Sequence, residues 1–236
     1  MNKCETIYNF VCRLEDGINQ SFASTGLFKY ALNVDSNDRY EILRVRNKLA
    51  EHIYELEEFI ESERESLKID VGWSKPIIDV LCCPLEYSHE QIKRITGKLF
   101  PYGKMTLGLL VQITNSKLIN HETLSTENLD NIKNKTNELI EEILATQMDA
   151  DVKSYLAKQL RKFIFAVDHY QIYGNEGLLE ILEEALGHTL TNQHYKTYMK
   201  SEESNKWRSF LNDVSTTLAT SESLIAIGTT LQKFIP

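Results

Sequence analysis

The stretch Arg44-Val45-Arg46-Asn47-Lys48-Leu49-Ala50-Glu51-His52-Ile53-Tyr54 brings a guanidinium, a carboxamide, an imidazole and a phenol onto one short segment. An imidazole moves protons near neutral pH, and a guanidinium presents a planar fork of donors to an oxyanion. At about 100° per residue, Ile42, Val45, Leu49, Ile53, Leu56 and Ile60 make one apolar stripe. Arg46 and His52 then lie about 120° apart, on opposite flanks of Leu49. The i±3 and i±4 neighbours of Arg46 are Leu43, Ile42, Leu49 and Ala50. None is acidic, so the arginine has no local ion-pair partner and its fork is expected to be available. The competing expectation is structural, with Arg46 a solvated flank residue and His52 a half-buried one on a packing helix.

Arg46-Asn47, four intervening residues, His52, one residue, then Tyr54 resembles the signature of the HEPN family (higher eukaryotes and prokaryotes nucleotide-binding domains). The resemblance covers these residues only. It implies a small helical bundle that cleaves RNA without a metal or other cofactor, with two motifs facing each other across a homodimer. His52 would be the acid/base group, Arg46 the phosphate stabiliser and Asn47 a positioning residue. Tyr54 extends the match to HEPN toxins paired with nucleotidyltransferase antitoxins, where the equivalent tyrosine is modified to silence the enzyme. In this reading the chain is a bacterial toxin or phage-defence effector, with an antitoxin or defence subunit as protein partner. The glutamates at 51, 55, 57, 58, 61, 63 and 65 repel phosphate along the same helix. RNA would therefore approach from elsewhere, with Lys153, Lys158, Arg161 and Lys162 as the candidate surface.

The elements that must position these residues are helices. The 236 residues are 42% hydrophobic and 25% charged, with only 10 Gly and 4 Pro, a composition that favours long helices over strands and turns. The expected fold is an all-α multi-helix bundle with a motif-bearing region at 1–120 and a C-terminal bundle at 121–236. Helices are predicted over 3–20, 37–66, 88–100, 126–147, 151–173, 176–187, 205–220 and 221–234, with Asp35 to Asp38 offering N-cap oxygens to the motif helix. WSKP, CCP, FPYGK and ITNSK read as breaks in an irregular stretch between 70 and 120. YGNEG predicts a sharp turn, and Gly187 a helix end.

A formal charge of −8 argues against a protein that coats nucleic acid nonspecifically. Acidic and basic residues near the start leave no secretory h-region, and no apolar run approaches the roughly 18 residues that span a bilayer, so a cytoplasmic location is expected. Cys4, Cys12, Cys82 and Cys83 form neither a CxxC pair nor a zinc pattern with His and are expected to be reduced and mostly buried. No spacing among His169, His188 and His194 predicts a metal site. The reading from another class is a non-catalytic helical interaction subunit of a defence or toxin–antitoxin assembly, in which the motif helix simply packs. The direction of the Arg46 and His52 side chains separates the two.

Overall fold

The computed structural model describes residues 3–22, 24–62, 71–97, 99–100, 102–117 and 123–218. The fold is all-α, with no strand among these residues. The chain divides into two compact units, Met1–His121 and Glu122–Pro236.

In the first unit, α1 (Lys3–Asn19) packs against α2 (Ser24–Leu32), α3 (Arg39–Ser62) and α6 (Tyr102–Lys117), while α3 also meets α2 and α4 (Ser74–Cys82). Helix α5 (His89–Thr96) packs on α4. α1 buries Cys4, Ile7, Phe10, Val11, Leu14 and Ile18, the i, i+3/i+4 face of an amphipathic helix. Its end is a Schellman motif: Ser21 takes a left-handed φ of 58°, its N–H donates to Ile18, and the Phe22 N–H donates to Gly17. Gly17 also lets α2 in, because a Cβ there would stand 2.5 Å from a Leu27 methyl carbon. Asn33 closes α2 in the same way at φ 56°. α3 starts where the acidic cluster predicts, with an Asp38 carboxylate oxygen accepting from the Tyr40 amide. Its predicted extension to 66 falls outside the described residues.

The stretch between 70 and 120 is more helical than its breakers suggest. Pro76 lies in the first turn of α4, where a helix has no use for the missing N–H. Pro84 acts instead as a stop: Cys83 before it is extended at ψ 151° and ends α4. α5 carries a capping box between Ser88 and Gln91 and stops at Thr96, short of the predicted 100. Helix α6 begins at Tyr102, within FPYGK, and runs through ITNSK, which had read as a break; its apolar residues fall on more than one face and blur the period.

In the second unit, α7 (Thr126–Ala145) and α8 (Ala150–Asp168) form an antiparallel hairpin, with Lys133 near the start of one paired at 2.5 Å to Asp168 at the end of the other. Ser125 and Asp149 are their N-caps. α8 stops at Asp168 rather than 173, and α9 (Tyr170–Thr191) begins at once. The turn predicted at YGNEG is a break inside α9, where Gly174 adopts φ 57°, ψ −163°, a region essentially closed to side chains. The Tyr170 hydroxyl bridges it, donating to Asn175 and accepting from the Leu124 amide. Gly187 does not end this helix, which continues to Thr191 and gives way at Asn192, the N-cap of α10 (Gln193–Met199). Nothing lies within 4 Å of where a Gly187 Cβ would stand, so this glycine is tolerated rather than required. α11 (Asn205–Leu218) inserts Trp207, Phe210, Leu211 and Val214 into the core. The helix predicted at 221–234 falls outside the described residues.

Candidate functional site

The motif helix α3 turns Arg46 and His52 inward. Both side chains are only 2% exposed, so neither is the flank residue that the helical wheel suggests. Arg46 reaches the C-terminal end of α4, where Nη2 donates to the carbonyls of Val80 (3.3 Å), Leu81 and Cys83 (2.7 Å). The guanidinium also sits over the Phe28 ring of α2, 4.5 Å from its centroid. The last carbonyls of a helix lack intrahelical donors and carry the negative end of its dipole. A buried cation there satisfies them and is partly neutralised in return. Burial lowers the Arg46 pKa, while Cys83 and Cys82 act against that shift. The fork that sequence left available is therefore engaged, and by backbone rather than by a carboxylate. Arg46 Nε has no hydrogen-bond partner.

His52 points elsewhere. Its Nδ1 lies 3.2 Å from a Glu55 carboxylate oxygen, and the same oxygen accepts from Lys3 of α1 at 2.9 Å. Burial pushes the Glu55 carboxyl up, but Lys3 and His52 together outweigh it and hold the group below the usual carboxylate range. The triad ties α3 to α1, whereas Arg46 ties α3 to α2 and α4. The two predicted catalytic side chains thus serve different packing contacts. Asn47 and Tyr54 are exposed on the opposite face of α3. Leu49 and Ile53 are wholly buried inside the first unit, so the apolar stripe is occupied without a second copy.

The basic residues of α8 are also partly committed. Lys162 pairs with Glu184, and Lys153 donates to the carbonyls of Leu144 (2.7 Å) and Thr146 (3.0 Å) at the end of α7. Lys158 and Arg161 are exposed.

One grouping escapes any reading of local spacing. Donor atoms of Asp149, Asp151 and His194 lie within 4.8 Å of one another, all three residues being exposed. Asp149 and His194 border an open groove of about 470 Å³ that Met148, Val152, Tyr198 and Glu203 also line. Asp149 and His194 are far apart in sequence and meet only because α10 folds back beside the N-terminus of α8. One Asp149 oxygen accepts from the amides of Asp151 and Val152, and the other faces His194 Nδ1 at 3.0 Å. Asp149 holds the His194 pKa above its usual value, and His194 holds the Asp149 carboxyl below its own. A raised histidine contributes fully below its unfolded pKa of about 6.5 and loses that contribution as pH rises through the folded value; a depressed aspartate contributes above about 3.9 and loses it as pH falls. The pair is therefore strongest at mildly acidic pH. Proton NMR of the imidazole should give His194 a midpoint above 6.5, returning toward the ordinary value in Asp149→Asn, which keeps a capping oxygen. An unchanged midpoint would show that the contact does not persist in solution.

Comparison with protein-family models, with curated proteins and with solved structures returned no match.

Proposed function

We propose that this chain is a non-catalytic helical interaction protein, in which the Arg46–Tyr54 segment packs the first unit together. The observation that carries the reading is the engagement of Arg46 by the α4 carbonyls and the Phe28 ring. A guanidinium held this way would have to leave three acceptors before it could clamp a phosphate. The separate directions taken by Arg46 and His52 lend further support, because general acid/base catalysis beside a phosphate requires both groups to converge on the same atoms. The setting, a defence or toxin–antitoxin assembly, rests on the HEPN resemblance alone.

The competing reading is the HEPN-like ribonuclease, and a single cleavage assay in excess EDTA separates them. The interaction reading expects purified protein to cut RNA no faster than the His52→Ala and Arg46→Lys variants, each first checked for folding by circular dichroism. The ribonuclease reading takes over if wild type cuts RNA, spares a 2′-deoxy substrate, and slows by about 100-fold or more in His52→Ala, the usual contribution of a general acid/base group.

A further inference from the structure

The strongest unassigned chemistry lies beside Arg46, in the adjacent thiols that end α4. Cys83 is buried and directs both its carbonyl and its thiol at the guanidinium; Cys82 next to it is exposed. The exposure of Cys82 departs from the expectation that the cysteines are mostly buried. Burial raises the Cys83 pKa overall, with the Arg46 charge and hydrogen bond opposing that rise. An accessible thiol, a second thiol beside it and a fixed cation on the second one make a pair suited to oxidation.

We propose that Cys82 and Cys83 are a peroxide-responsive vicinal pair whose disulfide releases α4 from Arg46. The Cys82 thiolate attacks hydrogen peroxide, forming an S–O bond as the O–O bond breaks and hydroxide leaves, which gives a sulfenic acid. The Cys83 sulfur, giving up its proton beside Arg46 as it reacts, then attacks that sulfur; the S–S bond forms and a second hydroxide departs. Two thiols and one peroxide become one disulfide and two waters, with the two thiol protons taken up by the departing hydroxides.

The backbone links this reaction to the fold. Adjacent Cα atoms stand about 3.8 Å apart, closer than the roughly 4.4–6.8 Å that an ordinary disulfide spans, so the bond is strained and readily reduced. Closing the ring must rotate the Cys82–Cys83 peptide. That peptide carries the Cys83 N–H bonded to Val80, and the ring also fixes the φ of Cys83, on which the position of the Cys83 carbonyl that Arg46 holds depends. Oxidation therefore loosens the end of α4, and reduction restores it.

The test treats the full chain with hydrogen peroxide, maps its peptides by mass spectrometry without reduction, and follows thermal unfolding. The proposal expects a peptide containing both cysteines to lose two hydrogens and the unfolding midpoint to fall by about 5 °C, the scale of a change near 1 kcal/mol in a domain this small. Dithiothreitol should restore both, and Cys82→Ser, at an exposed position, should show neither. Recovery of both thiols unlinked, a Cys82–Cys82 crosslink between molecules, or a vicinal bond that leaves the midpoint unmoved would each overturn it.

Discussion

Replacing Arg46 by methionine should lower the stability of the first unit by about 3 kcal/mol, because the Leu81 and Cys83 carbonyls lose their charged donor while the aliphatic packing is largely kept. A hydrogen bond to a charged group contributes about 1.5–3 kcal/mol, and more than one is broken here. The sum stays near the single-bond upper value because Arg46 no longer has to be desolvated and the exposed Cys82 lets water approach the freed acceptors. Arg46→Lys should lose less, since an ammonium keeps the charge and can still reach some of the carbonyls. Urea unfolding followed by the fluorescence of Trp73, measured with Trp207→Phe in place, reads the first unit directly. If Arg46→Met unfolds at the wild-type midpoint, the guanidinium is not anchoring α4.

Trp207→Ala should cost still more, about 4 kcal/mol, in the second unit. The indole is fully buried, donates to the Tyr195 hydroxyl at 2.7 Å and stacks on Phe210, which in turn meets Phe163 edge-on at 5.1 Å. Truncation removes the largest side chain of this core and leaves a cavity among groups fixed by their own contacts. Trp207→Phe separates the contributions: it keeps an aromatic ring but removes the indole N–H, and should lose nearer 2 kcal/mol. Burial raises the Tyr195 pKa, so its hydroxyl stays neutral through the working pH range and the bond to Trp207 should not titrate there. Circular dichroism in urea checks both variants, and equal midpoints for Ala and wild type would contradict the assigned packing.

These variants also mark where sequence was informative. The start of α3 was legible because a side-chain oxygen a few residues from an orphan amide is a local signal. Helix α6 was not, since its apolar residues follow no single face and two glycines interrupt them. The continuation of α9 past Gly187 was hidden for a related reason: glycine lowers helix propensity without forbidding the conformation. Sequence shows Arg46 with no acidic residue at i±3 or i±4, which left its fork open to a ligand. Its partners were invisible because they are backbone carbonyls 34 to 37 positions away, and any residue type supplies those.

The same contact sets an order of events during folding. At nine residues, α4 is too short to hold a helix by itself in water, where isolated helices of fewer than about 12–15 residues are marginal. Arg46 in turn cannot enter the interior before the α4 carbonyls exist to receive it, because an uncompensated buried charge is strongly unfavourable. The two helices must therefore consolidate in one step, each supplying what the other lacks, and a collapsed state with α3 docked but α4 unformed should not accumulate.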